Sequence, residues 1–350
     1  MQPVRICIVG MGIGRTNGRA LARHPRGQVV ALCDLFPERM AEFAAELPGP
    51  VKMYTSYEEM CRDPEIDAVF VGTPNQYHVP VGREVVKNGK HLLVTKPLSD
   101  SVNAARRLVE AAEEAGVVNM MSLSTRFDPE IQYLGQLAHN GDFGDLYYAR
   151  ARSVRRVGIP AWSLGFIQQG GGAFRDMGVH VLDAVWWLLG MPKPASVLGV
   201  AGARFGPRGE GYFGEFMLPA AELAKHYAAD DYAGGFIRFA NGAGVQVESF
   251  WASHQPEEFQ MELLGSEAGA RFRPLTIFRT VNGAPQDITV HHPKHGAKDA
   301  SWDKIADHFI ECILDGVPCQ APLRHGLIVQ EMMEALLSSA ESGHEVRLDD

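Results

Sequence analysis

Four short stretches of the 350-residue chain carry side chains suited to proton transfer and anion binding. Near neutral pH a histidine can accept a proton from a hydroxyl group, and a neighbouring carboxylate can orient the ring and stabilise its cation. Asp176 and His180 are four residues apart, and His180 and Asp183 are three apart, so a helix beginning near residue 178 could carry an imidazole with carboxylates beside it. The stretches are "GMGIGR" (10–15), "GTPNQYH" (72–78), "VTKP" (94–97) and "GGGAFRDMGVHVLD" (170–183).

Each of these features also has a purely structural interpretation. Asp176 can be an N-terminal helix cap and His180 a satisfied core histidine. Thr73-Pro74-Asn75 can be a simple proline turn, and the glycines at 170–172 either let backbone approach a ligand or form a flexible loop. The residues alone leave both interpretations open.

Lys96 follows directly on a sequence typical of a buried strand, and Pro97 ends that strand. Taken alone, Lys96 could be a surface lysine after an edge strand. However, "VGTPN" and "VTKP" both end strands that we predict to be parallel. The carboxyl ends of parallel strands meet at the edge where such sheets bind ligands, so we expect Lys96 to point towards a bound molecule.

The first strand runs straight into a glycine turn typical of dinucleotide binding. Gly10 and Gly12 occupy the first two fingerprint positions, whereas Arg15 stands at the third and the extra glycine, Gly14, comes one residue early. Asp34 ends the second strand, where a carboxylate can bind a ribose diol and repel a 2′-phosphate. The pattern predicts NAD, with NADP less favoured, although Arg39 could soften that preference. The predicted cofactor-binding residues are Gly10, Gly12, Ile13, Gly14, Asp34, Arg39, Thr73, Pro74, Asn75, His78 and Lys96.

The elements that must position these residues change character along the chain. Up to residue 123, short apolar strands alternate with helices, which predicts an α/β Rossmann domain with a doubly wound parallel sheet over residues 1–124. Long strand candidates follow, and Asn241-Gly242 and Asn282-Gly283 mark hairpins. We therefore predict an α+β domain over 125–350, with a mostly antiparallel open sheet and helices on one face.

Composition excludes several classes of protein. A net charge of −9 argues against nucleic acid or an anionic membrane as partner. The chain enters a strand within a few residues of Met1, which leaves no room for a signal peptide, and the most apolar stretch is too short to span a bilayer. The five cysteines form no C-x-x-C pair, which is typical of reduced thiols in the cytoplasm. We expect no metal site, and interpret "VHH" (290–292) and "KHGAKD" (294–299) as surface loop.

Taken together, the ordered motifs resemble the glucose-fructose oxidoreductase/inositol dehydrogenase (Gfo/Idh/MocA) family over nearly the whole chain. The longest and most specific of them is "GGGxxxDxGxHxxDxxxWLxG", from Gly170 to Gly190. The resemblance implies an NAD(P)-dependent dehydrogenase that holds a sugar, inositol or related polyol between its two domains. It also implies that Lys96, Asp176 and His180 are catalytic and that the Lys96–Pro97 bond is cis. From position relative to the motifs, we add Arg126 and Trp162 to those three as substrate-binding residues.

One departure from the family pattern concerns the lysine. The family usually reads Glu-Lys-Pro, whereas Thr95 precedes Lys96 here. A glutamate would favour the ammonium form, so in this chain cofactor, substrate or Asp176 must balance the lysine charge.

Two other functions remain as alternatives. One is an NAD-dependent glycosidase-type enzyme that oxidises a sugar only transiently, and the other is a dinucleotide-sensing regulator without chemistry. The Lys96, Asp176 and His180 set favours an enzyme, because a sensor needs no proton-transfer groups. We expect a homo-oligomer, a dimer or tetramer, and leave residues 207–230 as a lid or an oligomer contact.

Overall fold

The computed structural model describes residues 2–291 and 300–348. The chain divides into two compact units. The first runs to Phe127 and also contains the C-terminal segment that ends at Ile328; the second runs from Asp128 and resumes at Val329. The predicted histidine and lysine motifs at 290–299 lie largely outside the described residues.

The first unit is built on a six-stranded sheet in the order β3-β2-β1-β4-β5-β6, in which all neighbouring strands are parallel. The central strands are buried on both faces, which explains their unbroken apolar sequences. The predicted Rossmann sheet is confirmed. The strands are β1 (Val4–Val9), β2 (Gly27–Cys33), β3 (Lys52–Tyr54), β4 (Ala68–Val71), β5 (His91–Thr95) and β6 (Asn119–Ser122). The helices are α1 (Ile13–Arg23), α2 (Pro37–Ala44), α3 (Tyr57–Arg62), α4 (His78–Lys87) and α5 (Val102–Glu114), joined later in the chain by α10 (Ala300–Leu314) and the start of α11 (Leu323–Ser342).

Residues 300–328 belong to the first unit, whereas we predicted that all residues after 124 form the second domain. Helix α10 packs against α1 and buries an apolar face that includes Phe309 and Ile310. The amide of Met121 on β6 donates to the carbonyl of Ala321 at 2.8 Å. These contacts attach the segment to the first unit, and no local sequence signal announces them.

The second unit contains a nine-stranded sheet in the order β16-β15-β14-β13-β7-β12-β11-β9-β17, antiparallel except for the β7/β12 pair. Helix α8 packs against β7, β12 and β13, which confirms the mostly antiparallel sheet with a helical layer. The strands are β7 (Leu146–Val154), β8 (Ile159–Pro160), β9 (Pro194–Gly202), β10 (Tyr212–Phe213), β11 (Tyr232–Phe239), β12 (Gly244–Phe250), β13 (Glu258–Gly265), β14 (Ala268–Arg271), β15 (Thr276–Val281), β16 (Ala284–Thr289) and β17 (Val346–Arg347). The helices are α6 (Pro129–His139), α7 (Leu164–Ile167), α8 (Val179–Leu188), α9 (Ala220–Lys225) and the rest of α11.

Both predicted hairpins are present. Gly242 lies between β11 and β12 with φ of 90°, and Asn282 and Gly283 join β15 to β16 with φ of 51° and 79°. Those positive φ values are the reason the turns require asparagine and glycine. Residues 258–271 form a third hairpin, β13 and β14, which neither Asn-Gly pair marks.

The stretch 207–230, which sequence left without a role, is part of a packed core. Tyr212 on β10 and Leu223 on α9 join a buried cluster that also contains Met177 and Trp251. Strand β10 pairs in parallel with β8. The stretch therefore supports the segment that carries Asp176. Among the described helices, none combines the length and apolar character needed to cross a membrane.

Candidate active site

The nucleotide turn between β1 and α1 depends on glycine at its first position. Gly10 has φ of 87°, and a Cβ there would lie 2.6 Å from the carbonyl oxygen of Gly72. Gly12 is different, because a Cβ there would meet nothing within 4 Å in the described chain. The second glycine therefore keeps open the space at the N-terminus of α1, where a pyrophosphate is favoured by the helix dipole.

The early glycine Gly14 does the packing usually assigned to the third fingerprint position. A Cβ at Gly14 would lie 3.0 Å from Cγ2 of Ile8 on β1, closer than an ordinary contact, so glycine favours this close approach of helix and strand. Arg15, at the nominal third position, donates to Glu42 at 2.7 Å and to the carbonyl of Arg39 at 3.1 Å. Arg15 at the third fingerprint position therefore contacts α2, while Gly14 provides the close packing of helix against strand.

Asp34 lies against the same turn. Its Oδ2 accepts from the amide of Met11 at 2.7 Å and its Oδ1 from the amide of Phe36 at 3.1 Å. The Arg39 guanidinium stacks over the Phe36 ring, with 4.4 Å between its central carbon and the ring centroid. The carboxylate is thus fixed by two backbone donors beside the glycine turn.

The turn after β4 offers an unsatisfied polar group. Oγ1 of Thr73 is buried and has no hydrogen-bond partner among the residues that the structure describes. Pro74 is exposed, and a short 3₁₀ turn begins at Asn75. A buried hydroxyl without a partner is costly, and a bound ligand could satisfy it.

His78 connects this turn to the lysine loop. Its Nε2 lies 2.7 Å from the carbonyl of Thr73 and its Nδ1 lies 2.7 Å from the carbonyl of Pro97. The ring is completely buried, and that burial lowers the pKa of His78 although the two carbonyls act in the opposite direction. The structure therefore indicates that His78 holds two loops together. The side chain of His78 exposes no surface through which it could contact the predicted cofactor.

These features fit a dinucleotide. The first unit offers an open helix N-terminus at Gly12, a fixed carboxylate at Asp34 and a buried hydroxyl at Thr73 without a protein partner. Ile13 is 38% exposed at the start of α1, where the predicted cofactor would pass. The helix N-terminus at Gly12 suits a pyrophosphate, the Asp34 carboxylate suits a ribose diol, and the Thr73 hydroxyl suits the nicotinamide end.

Lys96 follows β5 and is half-buried, and its bond to Pro97 is cis, as the resemblance implied. Thr95 is buried and pairs with Ser122 on β6. The threonine that replaces the usual glutamate is therefore shielded from solvent at the end of β5.

Asp176 and His180 lie on one continuous helical segment. A π-helical turn, Phe174–Gly178, leads directly into α8, so the helix starts earlier than the predicted residue 178. The amide of Asp176 donates to the carbonyl of Gly172, which places Asp176 inside the turn and rules out an N-terminal cap. Both side chains are half-buried.

Trp251 is a site residue that the sequence did not reveal. Its Nε1 donates to Oδ2 of Asp176 at 3.1 Å, and the indole is fully buried in the cluster with Met177 and Tyr212. A charge-assisted hydrogen bond of this kind fixes a carboxylate and favours its ionised form. In the sequence, only the position of Trp251 at the end of a strand candidate could have drawn attention to it.

Two of the three glycines before this segment, Gly171 and Gly172, are required by packing. A Cβ on Gly171 would lie 1.9 Å from the carbonyl oxygen of Phe166, and a Cβ on Gly172 would lie 1.9 Å from Oδ1 of Asp230. The other oxygen of Asp230 accepts from the amide of Phe174 at 2.9 Å. The glycine loop thus lets Asp230 reach the start of the helix that carries Asp176.

The carboxyl group of Asp230 gives a pH-dependent stability. Burial raises the pKa of Asp230 to about 6, although the Phe174 amide and Arg175 act against the increase. The folded state then holds a proton that the unfolded state releases at about pH 4, so the free energy of unfolding falls as pH rises from about 4 to about 6. Asp230→Asn keeps an acceptor for Phe174, and we expect it to gain about 1–3 kcal/mol at pH 7 and to lose this slope.

Denaturant unfolding between pH 4 and pH 8 measures this effect. Asp231→Asn is the matched control, because the buried Asp231 accepts from the amides of Arg204, Phe205 and Gly206. Loss of that carboxylate should destabilise the protein at pH 7. A destabilised Asp230→Asn variant with an unchanged pH slope would contradict the expectation.

The two further residues predicted to bind substrate differ in exposure. Arg126 is completely buried in the first unit and donates to the carbonyl of Gln320 at 2.5 Å, with Nδ1 of His325 at 3.0 Å. This environment favours a structural role for Arg126 over a substrate contact. Trp162 is 45% exposed and lies edge-on to Phe166, so it is available to a ligand.

Comparison with known proteins places the chain in a class. Residues 4–123 match the model of the oxidoreductase family with an NAD-binding Rossmann fold, and residues 131–271 match the GFO/IDH/MocA C-terminal domain. The chain belongs to the Gfo/Idh/MocA oxidoreductase family.

Among the relatives, D-glucoside 3-dehydrogenase of Escherichia coli is 29% identical, with 99% of this chain and 98% of that protein covered. The scyllo-inositol 2-dehydrogenase (NAD+) of Bacillus subtilis is 27% identical over 99% of this chain and 96% of that protein. A solved levoglucosan dehydrogenase in complex with NADH and levoglucosan has a TM-score of 0.85 at 21% identity, with both chains fully covered, which shows the same fold.

Proposed function

We propose that the protein is an NAD-dependent dehydrogenase that oxidises a secondary hydroxyl of a sugar, inositol, glycoside or related polyol. The observation that carries the proposal is the Asp176–Trp251 hydrogen bond on the helical segment that also bears His180. A carboxylate fixed in this way can orient an imidazole and stabilise its cation. Full-length similarity to dehydrogenases named for a glucoside and an inositol supports the substrate class.

The proposed mechanism assigns one task to each of the three catalytic side chains. Bound NAD+ would supply the hydride acceptor and would be held by Gly10, Gly12, Asp34, Thr73, Asn75 and Lys96. His180 takes the proton of the substrate hydroxyl, and Asp176 stabilises the imidazolium that results. Lys96 stabilises negative charge on the substrate oxygen. In the reverse direction the same groups protonate a ketone.

The charge of Lys96 must be balanced without the glutamate usual in the family. Thr95, buried at the end of β5, carries a neutral hydroxyl, so it contributes no charge at the carboxyl edge of the sheet. We propose that phosphate and substrate groups place negative charge near the lysine when they bind.

The proposed preference for NAD over NADP rests on Asp34. Its carboxylate is held by two backbone amides beside the glycine turn and would repel a 2′-phosphate. Arg39 lies on the Phe36 ring and is the residue that could weaken the preference.

Formation of NADH during incubation with polyols, sugars and glycosides tests the function, with NAD+ and NADP+ supplied separately. The proposal expects NADH in proportion to oxidised product. Product without net NADH would favour transient oxidation of a glycoside. Saturable NAD binding without any product would favour a sensor.

Trp251→Phe separates positioning of Asp176 from general stability. The variant keeps most of the buried aromatic volume but loses the donor to Asp176. A hydrogen bond to a charged group contributes about 1.5–3 kcal/mol, so we expect kcat to fall by about 10- to 100-fold with little change in the KM for NAD+. The pH–rate profile should also change, because the carboxylate beside the proposed base loses a hydrogen-bond donor.

Trp186→Phe is the matched control. Trp186 is also buried, and its Nε1 donates to the carbonyl of Pro192 at 2.9 Å. We expect that variant to keep the wild-type pH–rate profile. An identical shift in both variants would show that Trp251 acts only through the packing of the unit.

A homo-oligomer remains our proposal for the assembly. On β9, Leu198 and Val200 are 55% and 64% exposed, which leaves apolar side chains on the sheet surface. Sedimentation equilibrium would give the subunit number.

A further inference from the structure

Three side chains that the proposed function does not use form a cluster in the first unit. The ligand atoms of His308, Cys312 and Cys319 all lie within 4.8 Å of one another. His308 and Cys312 lie on α10, and Cys319 follows in the connection to α11. Cys312 is buried, whereas Cys319 is partly exposed.

The cluster does not offer the ligands of a structural zinc site. Nε2 of His308 lies 3.5 Å from Sγ of Cys312, but it already accepts from the amide of Gln320 at 2.8 Å. With that lone pair occupied, the two sulfurs remain, and structural zinc sites use four ligands. The geometry is better suited to chemistry between the sulfurs.

The five cysteines, all among the described residues, fall into two groups. Burial raises the pKa of Cys33 and of Cys61 to about 12, and it raises that of Cys7 well above its ordinary value. The hydrogen bond from Cys312 lowers the pKa of Cys319, with Arg126 acting in the same direction, and the pKa of Cys312 is raised by the same bond. The partly exposed sulfur is therefore the better nucleophile of the pair, because the thiolate is the reactive form.

We propose that Cys319 and Cys312 form a peroxide-reactive thiol pair, in which Cys319 is the attacking thiol and Cys312 the resolving thiol. The Cys319 thiolate attacks one oxygen of hydrogen peroxide, which breaks the O–O bond and gives a sulfenic acid and hydroxide. The Cys312 sulfur then attacks the sulfenyl sulfur, and the Cys312 proton and the released hydroxide leave as water. Both sulfurs are oxidised to one disulfide, and one peroxide is reduced to two waters.

The second step needs no separate proton relay. Nε2 of His308 lies 3.5 Å from Sγ of Cys312 but accepts from the amide of Gln320, so the Cys312 proton passes directly to the leaving hydroxide. Cys319 lies in the connection between α10 and α11, and formation of the disulfide must bring the two sulfurs to the bond length of about 2.05 Å. Sγ of Cys319 also lies 3.7 Å from the carbonyl of Asn119 on β6, which identifies β6 as the strand nearest the modification.

The experiment exposes the full-length, fully reduced protein to a small excess of hydrogen peroxide. Free thiols are then counted under denaturing conditions, and the peptides are mapped by mass spectrometry. We expect two of the five thiols to be lost and one disulfide between Cys312 and Cys319 to form. In Cys312→Ser one thiol should be lost, and a cyclic diketone probe should trap the sulfenic acid on Cys319. In Cys319→Ser no thiol should be lost at the same dose.

Cys61→Ser is the matched control, because Cys61 is buried away from the cluster, and it should behave as wild type. Circular dichroism establishes that each variant is folded before the comparison. Retention of all five thiols, or a disulfide that includes another cysteine, would overturn the proposal. It would also fail if equimolar zinc bound to the reduced protein through Cys312 and Cys319, since the cluster would then be a metal site. None of these outcomes depends on the dehydrogenase activity.

Discussion

Replacement of His180 by alanine is expected to lower kcat by about 10²- to 10⁴-fold and to leave the affinity for NAD nearly unchanged. The imidazole is the proposed base, and without it the substrate hydroxyl must lose its proton to water. His180 lies on the segment that carries Asp176, whereas the dinucleotide turn belongs to the first unit. Steady-state kinetics and calorimetric titration with NAD measure the two quantities separately.

Addition of imidazole to the His180→Ala variant makes the test sharper, because a free base should restore part of the lost rate and a structural defect would not respond. His139→Ala is the control, since His139 is an exposed residue at the end of α6. An unchanged kcat in His180→Ala would remove His180 from the mechanism. Loss of NAD binding in that variant would instead indicate a structural role.

Alanine at Gly10 and alanine at Gly12 are expected to damage the same turn in different ways. At Gly10 the φ of 87° and the 2.6 Å approach to the Gly72 carbonyl both oppose a side chain. Left-handed backbone and overpacking together cost about 2–5 kcal/mol, so Gly10→Ala should lower the free energy of unfolding and abolish NAD binding. At Gly12 a Cβ meets nothing within 4 Å in the described chain. Gly12→Ala should therefore stay within about 0.5 kcal/mol of wild-type stability yet weaken NAD binding at least about tenfold.

Denaturant unfolding and titration calorimetry with NAD, applied to both variants, measure the contrast. Gly49→Ala is the control, because a Cβ at Gly49 also meets nothing within 4 Å and the residue is far along the chain from the turn. That variant should match wild type in both measurements. Wild-type NAD affinity in Gly12→Ala would show that the pyrophosphate does not approach this turn.

The fold was predictable where local sequence and environment agree. The apolar strands β1, β4 and β5 are buried on both faces, and Asn282-Gly283 adopts the positive φ values that its hairpin needs. The third hairpin, β13 and β14, was missed because its turn at Ser266-Glu267 lacks the glycine or asparagine that marks the other two. The assignment of α10 was missed for a different reason, since its contacts with α1 join residues nearly 300 positions apart.

The candidate site divides in the same way. The order of the motifs was sufficient to single out the dinucleotide turn, Lys96 and the Asp176–His180 pair, whose roles in catalysis stay predictions. Contacts between residues far apart in the chain could not be predicted from the sequence. Trp251 meets Asp176 from 75 residues away, and Asp230 reaches Phe174 from 56 residues away. The burial of Arg126 likewise depends on Gln320 and His325, at the other end of the chain.

Because residues 300–328 belong to the first unit, that unit is completed late during translation. During translation β1 to β6 are made early, but α10, the partner of α1, is made only after strands β7 to β16 of the second unit. Until then the surfaces that receive Ile310 and the connection at Ala321 stay uncovered on the nascent chain. The first unit therefore cannot complete its folding at the ribosome until residues 300–328 have emerged, and a gene fragment that stops after β6 would encode an unfinished unit.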